Sequence, residues 1–173
     1  YKVDLGYVYE RAGESEKAVK VYEEAIQDLP TVQNKIIELY NAFLTRNLRD
    51  YAIKTLKRGR ELLKNEKLFS LELTNIYTQL QWTDQIIDEA LSLVKDNNPT
   101  YLKDAESILQ NLLIEDEEDL NYNKVKIQLQ KLSQKDPDNT SYVSLLYWIY
   151  QIRKDYQGAL VLGKSLDKRY KVR

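Results

Sequence analysis

The sequence contains neither cysteine nor histidine among its 173 residues. Without cysteine there is no disulfide, no thiolate metal site and no thiol nucleophile, and without histidine the commonest general base and metal ligand is missing. These absences exclude most hydrolase and zinc mechanisms, because only carboxylates, Lys, Tyr and Ser remain for catalysis. The sequence therefore favours a protein that is not an enzyme, and we expect no cofactor and no bound metal.

The chain also lacks a charge excess of either sign, with 26 basic and 27 acidic side chains. Nucleic acid attracts strongly basic surfaces, so a nucleic-acid partner is not favoured. The longest stretch without a charged residue, 139–152, is shorter than the ~20 apolar residues that a membrane-spanning helix needs. We therefore expect no membrane span in this chain.

Methionine is absent as well, and the chain begins at Tyr1 within a predicted helix, so we expect it to be part of a longer protein. The composition is rich in Lys, Asn, Ile, Asp and Tyr, as in bacterial proteins encoded by DNA of low GC content. Because no cysteine indicates the redox compartment, the cytoplasm and a bacterial periplasm are both open.

Glycine and proline are scarce, with 5 and 3 residues, and apolar residues recur at spacings of three and four, as in Ile36, Leu39, Tyr40 and Phe43. This periodicity is typical of helices that bury one face, so the fold is predicted to be all-α. Ser15, Thr31, Thr83 and Asp138 are predicted N-caps. Helix breaks, which would give about ten helices, are predicted near Gly13, Pro30, Asn47, Asn65, Gln81, residues 97–99, residues 115–119, Pro137 and Lys154.

A repeat of about 34 residues, a period typical of stacked helix pairs, relates the first part of the chain to the second. Small and aromatic residues alternate in the first copy at Leu5, Gly6, Tyr9, Gly13, Ala18, Tyr22, Ala25 and Pro30, and one period further along the chain lie Leu39, Tyr40, Phe43, Asn47, Ala52, Leu56, Gly59 and Lys64. This pattern resembles that of the tetratricopeptide repeat (TPR) family, in divergent bacterial form.

The resemblance implies a right-handed α-α superhelix, a TPR-like solenoid of about five helix-turn-helix repeats in one domain covering residues 1–173. The predicted units are approximately 1–32, 33–66, 67–99, 100–137 and 138–173. The fourth unit keeps register only with an insertion of about four residues, which we place at the acidic run of residues 115–119. That run is predicted to be a loop.

In the family, the first helices of the units line a concave groove that takes up extended peptides, so the resemblance implies a protein-protein interaction scaffold with a protein or peptide partner. Asn41 and Asn75 occupy the same position in consecutive units, and their amides could form a ladder along a peptide backbone; ordinary surface polarity is the alternative. A clamp for chaperone tails is not expected. The groove is predicted to contain Tyr7, Arg11, Ile37, Asn41, Leu44, Leu71, Asn75, Thr78 and Gln79, with Val3, Glu10 and Thr45 beside them.

The last predicted unit suggests a second possibility. Residues 142–152 are apolar nearly all round the helix, and the following helix lacks the polar outer face of a terminal repeat. Either more repeats follow, or this face pairs with another chain through Trp148, Tyr156, Leu160 and Leu166, as in a homodimer. The alternative function is therefore a structural oligomerisation module without a groove ligand.

Three weaker sequence signals have ordinary structural explanations. The basic residues within 54–67 are interspersed with acidic ones, which is typical of a solvated convex face; a site for an anionic partner is the alternative. Asp136, Asp138 and Thr140 do not have the spacing of a calcium loop, because Pro137 interrupts them. Asn139 begins a glycosylation sequon, to which we assign no function.

Overall fold

The computed structural model describes residues 1–114 and 116–171, with side chains through residue 168. This part of the chain forms ten α-helices and a single 3-10 turn at Pro99–Tyr101, and it contains no strand. The prediction of an all-α fold is confirmed. The helices are α1 (Lys2–Arg11), α2 (Ser15–Gln27), α3 (Gln33–Thr45), α4 (Arg49–Leu63), α5 (Ser70–Gln79), α6 (Thr83–Val94), α7 (Leu102–Ile114), α8 (Leu120–Lys135), α9 (Thr140–Ile152) and α10 (Tyr156–Lys171).

Each predicted helix break falls between consecutive helices, and four of the breaks have the same geometry. In these four turns the central residue has a positive φ: Gly13, Asn47, Gln81 and Lys154. The residue after it donates its N–H to a carbonyl five residues back, for example Glu14 to Tyr9 at 2.9 Å and Trp82 to Tyr77 at 2.8 Å. This hydrogen bond satisfies one of the carbonyls left open at the end of a helix.

The first three of these turns recur with the period of the sequence repeat. α1, α3 and α5 end at Arg11, Thr45 and Gln79, while α2, α4 and α6 begin at Ser15, Arg49 and Thr83. The repeat read from the sequence is thus present as a repeat of helix ends and helix starts in the structure.

The repeat is interrupted between α7, which ends at Ile114, and α8, which begins only at Leu120. Asp116 is buried there and accepts hydrogen bonds from the backbone N–H groups of Asn121 (3.1 Å) and Tyr122 (2.7 Å), at the start of α8. Arg153 donates to the carbonyl oxygens of Leu113 (2.9 Å) and Asp116 (2.6 Å). The insertion predicted at the acidic run is therefore an anchored connection between two helices.

The chain divides into two compact units, Tyr1–Ile76 and Tyr77–Arg173. In the first unit α1 packs against α2 and α3 against α4, and α1 also contacts α3. Gly6 lets α1 and α2 approach, since a Cβ at this position would lie 2.2 Å from the ring of Tyr22. That ring is 2% exposed and packs against the rings of Phe43 and Tyr51, with centroids 5.6 and 4.8 Å away.

In the second unit α7 packs mainly against α6, and α8 packs mainly against α9, which also contacts α10. The contact between α7 and α8, the two helices of the predicted fourth repeat, is smaller. Their five-residue connection is longer than the three-residue turns that join the tightly packed pairs α1–α2 and α3–α4. The core includes Leu93, Leu109, Leu129 and Leu145, each almost inaccessible to solvent.

The predicted N-caps at Ser15, Thr31, Thr83 and Asp138 are wrong. Glu14, Val32 and Trp82 hold the cap positions of α2, α3 and α6, and none of them makes a side-chain cap hydrogen bond. For α2 and α6 the reason lies in the preceding turn, whose hydrogen bond to the previous helix already directs the chain, so that Ser15 and Thr83 are the first helical residues.

Asn139, one residue beyond the predicted Asp138, caps α9. Its side-chain oxygen accepts hydrogen bonds from the N–H groups of Ser141 (3.0 Å) and Tyr142 (3.3 Å). Its amide nitrogen donates to the carbonyls of Val94 (3.1 Å) and Lys95 (2.9 Å) at the end of α6. One buried side-chain amide thus provides hydrogen-bond partners both for backbone N–H groups at the start of α9 and for backbone carbonyls at the end of α6.

Candidate functional site

A cleft of about 480 Å³ opens in the first unit between the C-terminal end of α1 and the turn from α3 to α4. Tyr7 and Arg11, both predicted groove residues, line this opening with Glu10 of the same helix. The α3–α4 turn contributes residues that sequence analysis did not identify. These are Arg46, Asn47 and Leu48.

Arg46 is positioned by two contacts with α1. Its guanidinium carbon lies 4.5 Å from the centroid of the Tyr7 ring, and its Nη2 donates to Oδ1 of Asp4 at 2.8 Å. The hydrogen bond from Arg46 holds the pKa of Asp4 below its ordinary value, so this carboxylate is ionised at neutral pH. Arg46 therefore presents an oriented guanidinium, stacked on an aromatic ring, at the edge of the cleft.

Glu10 is restrained by a hydrogen bond from Tyr22, whose hydroxyl donates to Oε2 of Glu10 at 3.2 Å. Burial of Tyr22 and the nearby Glu10 carboxylate raise the pKa of this phenol to about 12. The phenol consequently keeps its proton and remains a hydrogen-bond donor near neutral pH. Arg11, by contrast, is exposed. The cleft thus combines an aromatic face, two arginines and one restrained carboxylate.

The other predicted groove residues in the first unit lie on α3 and α5. Ile37 and Leu44 are half-buried and Asn41 is exposed; their spacing of four and three residues places them on one side of α3. Leu71 and Asn75, on α5, are also exposed. The asparagine ladder between Asn41 and Asn75 stays a prediction.

Thr78 and Gln79 are exposed and belong to the second unit. Their place in a groove with the α1 and α3 residues stays a prediction as well. In sequence terms the signal that could have identified Arg46 is its position directly after Thr45, at the end of a helix that is predicted to line the groove.

A second cleft, of about 500 Å³, lies between α8, α9 and α10. Its polar groups mostly hold these helices together. Gln130 donates to the Tyr150 hydroxyl at 2.9 Å, and the Tyr122 hydroxyl donates to Oδ2 of Asp155 at 2.8 Å. Asp155 also accepts the N–H of Gly158 at 2.9 Å, at the start of α10. These two hydrogen bonds hold the pKa of Asp155 below its ordinary value.

The four residues predicted to support self-association differ in exposure. Tyr156 is 73% exposed and Leu160 is 55% exposed, and both lie on α10. Leu166, on the same helix, is half-buried. Trp148 is half-buried on α9. The two exposed residues are four positions apart and lie on one side of α10.

Asn139 is 2% exposed, and its amide nitrogen makes two hydrogen bonds. Glycosylation of this sequon is incompatible with the folded chain, since the amide nitrogen would have to leave both partners and reach solvent.

On the basic α4, Lys54 pairs with Glu23, and Arg58 pairs with Glu61. These pairs agree with the prediction of a solvated face.

Within residues 1–114 and 116–171, no three potential metal-ligating side chains lie close enough together to hold a metal ion. The same part of the chain has no helix with the length and apolar character required to cross a membrane. A scan against models of known protein families found no match to this chain, and a search of curated proteins found no significant relative.

Proposed function

We propose that this chain is a protein-protein interaction scaffold, a TPR-like right-handed superhelix of about five helix-turn-helix repeats, which binds a peptide or protein partner on the groove formed by the first helices of its repeats. The recurrence of the same turn at the spacing of the sequence repeat supports the repeat architecture. The absence of histidine and cysteine from the sequence supports binding rather than catalysis.

The observation that carries the proposal is the cleft between α1 and the α3–α4 turn. Arg46 and Arg11 offer guanidinium donors, which suit the carbonyl and carboxylate oxygens of a peptide. Tyr7 offers a large, rigid surface at low cost in conformational entropy. Tyrosine and arginine are also the residue types that most often dominate binding energy at protein interfaces.

The helix that leads into the α3–α4 turn carries predicted groove residues of a different kind. Ile37 and Leu44 are half-buried and can contact apolar side chains, whereas the exposed amide of Asn41 can donate to and accept from a peptide backbone. An extended peptide offers both kinds of group along its length. In the proposed groove the charged and aromatic cleft would bind polar groups of the partner, and these α3 residues would bind its apolar side chains and backbone.

The test uses selection from a random displayed peptide library with the purified chain. Peptides selected by the wild type are then titrated against a Tyr7→Ala/Arg46→Ala variant. The matched control is Lys20→Ala/Lys57→Ala, which changes two exposed residues of α2 and α4. We expect the cleft variant to bind at least about tenfold more weakly, a loss of about 1.4 kcal/mol or more, and the control to bind normally.

Circular dichroism establishes that each variant is folded before titration. Failure to select any peptide contradicts the proposal, and so does equal binding by the cleft variant. Asn41→Ala and Asn75→Ala test the asparagine ladder separately. The ladder is excluded if both variants keep wild-type affinity while the cleft variant loses it.

A further inference from the structure

Gly163 differs from the other glycines inside described helices. A Cβ added to Gly6, Gly59 or Gly158 would lie 2.2, 2.7 or 2.6 Å from a neighbouring side chain, so each of these glycines permits a close contact within its own unit. A Cβ at Gly163 would meet nothing within 4 Å. Glycine in the middle of a helix is destabilising relative to alanine. No contact that the structure describes accounts for this cost at Gly163.

Gly163 lies on an apolar stripe of α10. At 3.6 residues per turn, Tyr156, Leu160 and Gly163 fall within an arc of about 60°. The opposite side of the helix carries Gly158, which packs against the ring of Tyr150 on α9. The stripe therefore points away from α9, and its two large side chains are the exposed Tyr156 and Leu160.

We propose that this stripe binds the same stripe of a second copy, with the two α10 helices antiparallel and crossing at Gly163. A two-fold contact requires a self-complementary surface, in which residues before the centre match residues after it. Leu160 and Leu166 are each three residues from Gly163. At 3.6 residues per turn, Leu160 lies about 60° to one side of Gly163 and the half-buried Leu166 lies about 60° to the other side. Gly163 is thus midway between two leucines that a two-fold axis at the crossing point would bring together.

Antiparallel pairing around this centre places Leu160 opposite Leu166 of the second copy on both sides of the crossing. Without a Cβ at the crossing point, the helix axes can approach to the short end of the usual range of about 8–10 Å. Asp167, the charged residue within the stripe, faces Ala159 of the second copy, so that no like charges meet.

The first test is the mass of the whole chain by light scattering over a range of concentrations. We expect the mass to rise from 20.4 kDa to twice that value. Gly163→Gln should weaken association at least about tenfold, because its side chain blocks the crossing. The same substitution should stabilise the dilute monomer, since glutamine is a better helix former than glycine and has open space there.

Val161→Ala is the matched control, because Val161 is also exposed on α10 but lies outside the stripe. It should leave association unchanged. A chain that stays monomeric at every concentration overturns the proposal and indicates that another protein or a further stretch of chain covers the stripe. A dimer that Gly163→Gln does not weaken overturns it equally.

The second test measures the register of the two helices. Because the chain has no cysteine, introduced thiols report only on the designed pair. A mixture of Leu160→Cys and Leu166→Cys copies should form a covalent dimer on mild oxidation. A mixture of Val161→Cys and Leu166→Cys copies should not. Equal cross-linking of the two mixtures contradicts the antiparallel crossing at Gly163.

Discussion

Gly6→Ala is a small substitution for which helix propensity and packing predict opposite changes in the free energy of unfolding. Alanine favours a helix by about 0.5–1 kcal/mol over glycine, so α1 considered alone should become more stable. In the folded unit, however, the new methyl group would lie 2.2 Å from the ring of Tyr22. This separation is well below van der Waals contact, and one of the two groups has to move.

Tyr22 has little freedom to move. Its ring is 2% exposed, packs on Phe43 and Tyr51, and ends in a hydroxyl that donates to Glu10. Overpacking a tight site typically costs about 1–3 kcal/mol, and the restraints on this ring place the cost near the upper end. After subtraction of the gain in helix propensity, we expect Gly6→Ala to lower the free energy of unfolding by about 2 kcal/mol.

Urea unfolding followed by far-UV circular dichroism measures this difference. Gly163→Ala in dilute solution is the matched control, since a Cβ at Gly163 has open space, and it should raise stability by about 0.5–1 kcal/mol. In a Tyr22→Leu background the penalty of Gly6→Ala should largely disappear, because the clashing ring is gone. A Gly6→Ala protein as stable as the wild type would refute the close packing of α1 on α2.

Three further substitutions test the second unit. Asn139→Ala should lower the free energy of unfolding, measured in urea, by about 2–4 kcal/mol, since it removes the α9 cap and leaves buried carbonyls at the end of α6 without their donor. The control Asp138→Ala, at an exposed neighbour, should lower it much less. Arg153→Ala should lower the free energy of unfolding by about 2 kcal/mol, because it removes the donor that anchors the α7–α8 connection. A loss of stability no larger than that caused by Lys154→Ala would contradict this role. The lowered pKa of Asp155 means that its contribution is present above the ordinary value of 3.8 and is lost as the pH falls through the lower folded value. Asp155→Asn should therefore flatten the acid side of the stability-pH profile, and an unchanged profile would show that this carboxylate contributes nothing there.

Helix positions followed closely from the sequence, because apolar spacing and turn residues are local signals. Gly13 and Asn47 mark turns that need a positive φ, and both residue types tolerate it. Gln81 and Lys154 occupy the equivalent positions without being typical for them. Helix breaks were nevertheless predicted near both residues.

The capping residues at the helix starts and the geometry of the cleft could not be predicted from the sequence in the same way. A cap depends on which backbone N–H groups lack a partner, and the sequence does not show that the turn before α2 is already closed by a hydrogen bond. The position of Arg46 depends on Asp4 and Tyr7, which lie far from it along the chain. Such pairings arise from tertiary packing, which single-sequence patterns do not encode.

The same limit applied to the second unit. The repeat pattern predicted α7 and α8 as one helix pair, yet α7 packs chiefly on α6. The connection between these two helices has five residues where the α1–α2 and α3–α4 turns have three, and Arg153 from the α9–α10 turn holds it in place. The acidic run was visible in the sequence, whereas the buried role of Asp116 within it was not.

Binding at the cleft between α1 and the α3–α4 turn is tested most directly by a map of amide chemical shifts in the isotopically labelled chain as a selected peptide is titrated in. We expect the largest changes at the end of α1 and in the α3–α4 turn, around Tyr7, Arg11 and Arg46, and we expect them to disappear in the Tyr7→Ala/Arg46→Ala variant. Changes confined to other helices, or changes that persist in that variant, would contradict binding at this cleft.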